Sequence, residues 1–272
     1  MNKKVRGIIL CLFFLNIICF SIVLYFHNSY LEVVFFDVNQ GDAIFIETPN
    51  KNQILIDGGP SRERIIEKVN QEMPFWDKTI DLIVLTHTDK DHINGLFQVL
   101  KEYEIKNILW TGIGENEEWE DLIDKEKANV LELRKDSKIL FSNVSFEILY
   151  PDLGDNFPES NDSSLVLKMD YGQSSFLFTG DITSKKEDII GEDIDVLKVA
   201  HHGSSYSTSE EFLKAISPEI AIIQVGTNSY GHPSEEVLTR LLNFGIKTLR
   251  TDINGDIKIV SDGKVLKIIS KN

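Results

Sequence analysis

The 272-residue chain is 42% hydrophobic, enough for one large domain or two small ones around a sizeable core. Its formal net charge is -15, and Lys3, Lys4 and Arg6 are the only Lys, Arg, Asp or Glu side chains before Glu32. Such an acidic surface repels nucleic acid at long range unless a local basic groove or bound cations offset it, which excludes binding driven by bulk charge.

The N-terminus differs from the rest. MNKKVRG is basic, and residues 7–26 are uncharged and apolar but for Asn16 and Ser21, a run of about 20 residues that can cross a bilayer as a helix. Positive residues stay cytoplasmic, so the remainder is expected outside the cell in a single-pass arrangement. The alternative, a cleaved signal peptide, finds no small-x-small site after the run, and Ile18 is too bulky before Cys19 for a lipoprotein signal. Residues 1–29 are therefore read as a basic tip and cell-membrane anchor, and residues 30–272 as one exported domain. Both cysteines, Cys11 and Cys19, lie in the apolar run, so the exported part has neither a disulfide nor thiol chemistry.

Along that domain, LEVVFFDV, AIFIET and NQILIDGG predict three strands with turns at 39–42 and 49–52. The spacing of Ile65, Ile66 and Val69 predicts a helix in SRERIIEKVNQEM. IDLIVLT is a continuous apolar run, the mark of a strand covered on both faces. INGLFQVLKEY reads as a helix, IKNILW as a strand and NEEWEDLIDKEK as a solvated polar helix. Strands follow in KILFSNVSFEILYP, SLVLKMDYGQSSFLFTGD and DVLKVAHHGS. TSEEFLKAIS predicts a helix capped at Ser207 or Thr208, and SEEVLTRLLNFG one capped by Ser234 and ended by Gly245. EIAIIQVG, IKTLRTD and GDIKIVSDGKVLKIIS supply the last strands, giving two sheets between outer helices. Trp76 and Trp119 read as half-buried packing.

Potential metal ligands recur where core strands end. His87, Asp89, Asp91 and His92 follow DLIVLT, Asp181 follows SSFLFTG, and His201 and His202 follow DVLKVA. Sites gather beyond strand carboxyl ends because loops there converge over a rigid base. Neutral imidazole together with carboxylate suits zinc, manganese or iron, and six or seven donors suit two ions better than one. Apart from His27, every histidine falls in THTDKDH, AHHGS or GHP.

These segments resemble the metallo-β-lactamase superfamily. More narrowly, FFDVNQGDAIFIE, ILIDGG, NDSSLVLKMDYGQSSFLFTGD, AHHGSSYSTS, YGHPSEEVL and RTDINGDIKI, in that order, resemble the metallo-β-lactamase-like domain of ComEC-type competence proteins. The resemblance covers nearly everything after Tyr30 and implies an α+β fold, a four-layer αβ/βα sandwich with two metals at its upper edge. One short apolar segment stands where a full competence protein has a many-pass channel. Three positions depart from the superfamily's usual pattern. Asp89 replaces the middle histidine of H-x-H-x-D-H, and Asn161, Asp162 and Ser163 occupy the stretch where a histidine precedes Gly-Asp. ComEC-like domains share both features. The third is Asn39, where glycine is usual. Oxygen in place of nitrogen ligands hardens the site and moves preference from zinc toward manganese.

The resemblance implies roles. His87 and Asp89 would bind one divalent ion, Asp91 and His92 the other, with Asp181 bridging them around a hydroxide. One of His201 and His202 would complete the ligand set of the second ion. Asp91 and His232 are the catalytic candidates, His232 as proton donor to the leaving group or as a partner for a phosphoryl oxygen. Asp37, Asp42 and Asp57 would orient ligands, or serve as turn and cap residues. The expected function is a membrane-anchored, extracellular metallohydrolase of a phosphodiester, DNA or another phosphorylated compound. A carbon-ester hydrolase of the lactonase or β-lactamase type and a non-catalytic part of DNA uptake or envelope assembly are the alternatives. Beyond the membrane and the substrate, the sequence points to no protein partner.

Overall fold

The computed structural model describes residues 2–27, 30–114, 116–131, 133–152, 157, 160–189 and 191–270. Helix α1 (Lys3–His27) is long and apolar enough to cross a membrane, with mean hydropathy 2.3 over its best window and none of that window buried in the protein.

Strands β1 (Leu31–Phe35), β2 (Ile44–Glu47) and β3 (Gln53–Ile56) form the predicted meander. Helix α2 (Arg62–Glu72) follows, its N-cap Ser61 accepting from the Arg64 backbone N–H. Then come β4 (Thr79–Ile80), β5 (Leu82–Leu85), α3 (Lys90–Ile93), α4 (Leu96–Glu102), β6 (Glu104–Ile105), β7 (Asn107–Trp110), α5 (Glu117–Ile123) and β8 (Asn129–Leu131). The second half runs β9 (Lys138–Phe141), β10 (Val144–Tyr150), β11 (Val166–Tyr171), β12 (Ser174–Phe178), β13 (Val196–Lys198), α6 (Glu210–Ile216), β14 (Ile220–Ile223), α7 (Glu235–Asn243), β15 (Lys247–Arg250), α8 (Thr251–Asn254), β16 (Ile257–Ser261) and β17 (Leu266–Ser270).

Two large sheets result, one ordered β17-β16-β1-β2-β3-β5-β7-β8 and the other β15-β14-β13-β12-β11-β10-β9. Their inner faces meet in one apolar core. Val33, Phe35, Ile44, Ile56 and Val84 face Phe146, Leu167, Met169, Phe178 and Ile222, and the Phe35 and Phe178 rings lie 6.3 Å apart. On the outer side of the first sheet, Val34, Phe45, Leu55 and Ile83 share a cluster with Ile65 and Val69 of α2 and Phe97 and Leu100 of α4. On the outer side of the second, Leu197, Ala221 and Ile223 share one with Phe212 and Leu213 of α6 and Val237 and Leu241 of α7. The architecture is therefore α/β/β/α. It explains why LIVL and IAII are apolar without alternation: both strands are covered on two faces.

The strands give the sandwich two distinct edges. Loops after β5, β12, β13 and β14 leave from one edge. The other holds the start of β1 and the hairpin turns, since Leu31 pairs with Ser261 and Glu32 with Glu47. There the β11–β12 turn is stitched to the β16–β17 turn by the Gln173 N–H donating to the Gly263 carbonyl at 2.7 Å.

Some local expectations change. The helix predicted over INGLFQVLKEY divides into α3 and α4 at Asn94–Gly95, because Gly95 packs backbone to backbone on Gly58. A Cβ at Gly95 would lie 1.9 Å from the Gly58 carbonyl oxygen. The cap of α6 is Ser209, one or two residues later than expected, while Ser234 caps α7 and Gly245 follows it with φ 70°. Trp119 is wholly buried against Phe97 and Trp110, but Trp76 is 70% exposed, so only one of the two tryptophans packs. Asn39 has φ 69°, the left-handed conformation glycine adopts freely and asparagine tolerates, which accounts for its standing at a glycine position.

Gly95→Ala is expected to destabilise the domain by at least about 1–3 kcal/mol through overpacking. Gly191→Ala, where nothing lies within 4 Å, is expected to stay within about 0.5 kcal/mol of the parent. Urea midpoints of the two variants check this.

Candidate metal centre

The centre begins with Asp57, which follows β3 in a left-handed conformation, φ 56°. Its carboxylate accepts from the Thr86 N–H at 2.8 Å, the Thr86 hydroxyl at 2.7 Å and His92 Nδ1 at 2.8 Å. This fixes the loop after β5. Because the Thr86 hydroxyl donates its proton to Asp57, it can only accept from His87 Nδ1, 3.0 Å away. His87 therefore keeps its proton on Nδ1 and leaves Nε2 bare.

At the other two imidazoles Nδ1 likewise faces an acceptor. His92 Nδ1 faces the Asp57 carboxylate, and His202 Nδ1 lies 2.9 Å from the Gln224 carbonyl oxygen; both partners only accept. The Nε2 atoms of His87, His92 and His202 are buried without a hydrogen-bond partner. They converge on carboxylates. His92 Nε2 is 3.3 Å and His202 Nε2 3.4 Å from Asp181 Oδ2, while His202 Nε2 is 3.2 Å from Asp91 Oδ2. Asp89 Oδ2 stands 3.7 Å from His87 Nε2, its other oxygen accepting from the Ser160 hydroxyl at 2.9 Å. Nε2 atoms without a hydrogen-bond partner, oriented by acceptors at Nδ1 and facing carboxylates, are the donor set a divalent cation requires once any proton they carry has left. Within the described residues, His87, His92 and Asp181 form one group able to hold an ion, and Asp91, His92 and His202 another.

Electrostatics follow from the burial. Burial and the neighbouring His92 charge push the His87 imidazole down to about 4, so it is neutral. At His202, burial opposes protonation, but the Asp181 and Asp42 carboxylates outweigh it and raise the ring to about 10. His92 is likewise raised well above its ordinary value, burial being outweighed by Asp181 and Asp57. Burial works to raise Asp181, yet His202, His92 and Lys198 hold it well below the usual carboxylate range.

Sequence reasoning missed Lys198. It is buried at the end of β13, donates to the Gly180 carbonyl at 3.0 Å, lies 3.5 Å from Asp181 Oδ1 and is ion-paired with Asp42. The available signal was a lone lysine within the apolar run DVLKVA. Burial works to lower it, but Asp42 and Asp181 keep it charged.

Other expected residues are sorted by the geometry. Asp42 sits behind the cluster, 3.4 Å from His202 Nδ1. Asp37 is not brought in: it pairs with Arg64 at 2.9 Å and ties α2 to the loop after β1. His201 and His202 are both left-handed, with φ 50° and 52°, an arrangement that costs about 1–2 kcal/mol per residue and turns adjacent rings apart. His202 points into the cluster. His201 instead packs at the rim, 5.3 Å from the His232 ring and 3.4 Å from Asn161 Nδ2, so it is not among the converging donors. A 210 Å³ cavity opens over the cluster, lined by Gln40, Asp89, Asp91, Asp181, His201, His202, Tyr230 and His232.

Removing His202 is expected to lower divalent-metal content by about one equivalent, whereas His201→Ala keeps it; elemental analysis of the purified variants decides. Because His92 and His202 hold protons at neutral pH in the metal-free protein, metal binding is expected to release about two protons and to tighten as pH rises. Calorimetry in buffers of different ionisation enthalpy measures that release.

The comparisons with known proteins agree with this geometry. A model of the "Metallo-beta-lactamase superfamily" matches residues 36–227. The chain is 34% identical over 255 residues to ComE operon protein 3 of Bacillus subtilis, covering 84% of this chain and 32% of that protein. It is 32% identical over 236 residues to competence protein ComA of Neisseria gonorrhoeae, covering 83% and 32%. The chain thus spans about a third of the length of the curated relatives it matches. The metallo-β-lactamase fold protein YhfI of Bacillus subtilis superposes with TM-score 0.61 at 11% identity, covering 86% of this chain and all of that one. A family match running from the loop after β1 to the loop after β14 takes in every strand end that feeds the centre, and the chain belongs to the metallo-β-lactamase superfamily.

Proposed function

We propose that this chain is a membrane-anchored, metal-dependent hydrolase that cleaves a phosphodiester outside the cell. The observation that carries the reading is the convergence of three buried imidazole Nε2 nitrogens without hydrogen-bond partners, from His87, His92 and His202, on the Asp91 and Asp181 carboxylates. In this reading His87 and Asp89 would hold one divalent cation and Asp91, His92 and His202 another, with Asp181 a donor available to both. Two cations in such a site neutralise charge on a phosphoryl group and lower the pKa of a coordinated water to about 7. The carboxylate-rich donor set suits manganese or zinc.

The chain's own side chains supply the rest. Lys198 occupies the inner oxygen of Asp181 and leaves the outer one for a cation. Burial and the nearby His201 and His202 charges depress the His232 imidazole, which suits it, as a neutral ring, to hydrogen-bond a phosphoryl oxygen. Its Nδ1 has no partner within the protein. No lysine or arginine lines the cavity among the described residues, so the grip on an anionic substrate falls to the metal centre. Likeness to proteins named for competence supports a nucleic-acid strand as the substrate, and the acidic surface favours a smaller phosphorylated compound as the alternative. Lys3, Lys4 and Arg6 at the start of α1 support a single-pass anchor with its N-terminus in the cytoplasm.

The test is turnover of bis(p-nitrophenyl) phosphate and of a single-stranded oligonucleotide by the detergent-solubilised full chain, with manganese and zinc supplied separately. Hydrolysis is expected, and Asp181→Asn is expected to reduce it about 100-fold or more. Metal binding without phosphodiester turnover, or turnover of a lactone or β-lactam instead, overturns the reading.

A further inference from the structure

The structure leaves two large aromatic side chains in water. Phe75 and Trp76 are 85% and 70% exposed, and their rings meet edge to face with centroids 4.8 Å apart. They occupy the loop between α2 and β4. Scattered apolar residues on a protein surface are ordinary, but an adjacent Phe-Trp pair held outward marks a contact surface.

That loop is pinned at both ends. Before it, the last residue of α2, Glu72, accepts from Lys258 Nζ at 2.6 Å, and the same ammonium donates to Glu32 of β1 at 2.9 Å. After it, Asp77 accepts from the Gln53 side chain, at the start of β3, at 3.3 Å. Both anchors belong to the edge where β1 begins. Residue 30, through which the chain comes from α1, is two positions before Glu32. Tyr30 and Val265 are exposed at this same edge, Val265 in the turn after Ser261, the pairing partner of Leu31. The metal centre opens at the opposite edge.

We propose that Phe75 and Trp76, with Tyr30 and Val265 exposed at the same edge, insert into the interfacial layer of the bilayer that α1 crosses. The proposal rests on the membrane-anchor reading of α1. Indole and phenyl rings favour the headgroup level, where an apolar body and a polar surrounding are both accommodated. The apolar helix delivers that surface to the edge carrying the rings, which selects lipid over a protein partner. A single-pass tether alone would leave the domain free to swing. The aromatic pair makes a second point of attachment and gives the domain one orientation.

The chain has three tryptophans, and Trp110 and Trp119 are buried, so Trp76 alone can report on lipid. The full chain is reconstituted into phosphatidylcholine–phosphatidylglycerol vesicles containing lipids brominated near the headgroup or near the bilayer centre. Expected is quenching of Trp76 emission by the shallow bromines and not the deep ones, abolished in Trp76→Phe. Resistance of the chain to alkaline extraction is measured on the same vesicles. Extraction from the vesicles overturns the anchor reading. Stable insertion with Trp76 emission unquenched overturns the aromatic contact alone, as does protection of Trp76 that requires an added protein.

Discussion

Everything at the centre follows from placing several carboxylates where water cannot reach them. Asp42, Asp57 and Asp181 are buried side by side, and such charges persist only beside compensating cations and donors. Lys198 supplies one fixed positive charge, and Thr86 and His92 satisfy Asp57 by hydrogen bonds. What remains uncompensated is directed to one place, the outer oxygens of Asp181 and Asp91, which the imidazole Nε2 nitrogens also face. The protein thus neutralises the rear of the cluster itself and leaves the front to mobile cations. The left-handed backbone at Asp57, His201 and His202 is the cost of this convergence, and the surrounding hydrogen bonds hold it in place.

Much of this was legible in the sequence because it depends on short-range pattern. Apolar runs without alternation gave strands covered on both faces, and ligands clustered at their ends mark the edge where loops converge. Residues whose fate depends on distant partners were not legible. Asp37 and Asp42 both flank the turn after β1, yet Arg64 of α2 takes one outward and Lys198 of β13 takes the other inward. Trp76 follows Met73, Pro74 and Phe75 yet stays exposed, while Trp119 sits among acidic neighbours and only the arrival of Phe97 and Trp110 buries it. The choice between His201 and His202 turns on two positive φ angles, which spacing does not encode.

The departures from the usual superfamily pattern find physical places. Asn161, in the stretch where a histidine is usual, approaches the rim histidine His201 rather than the buried cluster. Neighbouring Asp162 is committed to Thr183, accepting from its N–H at 3.1 Å and its hydroxyl at 2.8 Å. The missing nitrogen donor is thus replaced by a structural segment, and Asp89 remains on the side of the centre nearest His87. Fewer imidazoles and more carboxylates make a harder, more anionic site, consistent with a charged substrate engaged through cations rather than through protein side chains.

The length of the strands also sets a height. β1 and the residues that carry it to the level of Asp37 climb roughly 20 Å at about 3.3 Å per residue. Were residue 30 held at the lipid surface by the proposed anchor, the metal centre would stand that far above it, facing the aqueous phase. A phosphate buried among headgroups would then lie beneath its reach, whereas a solute or the slack of a long polymer could meet it. On that reading the sandwich is a pedestal that sorts candidates by stature before any of them touches the centre.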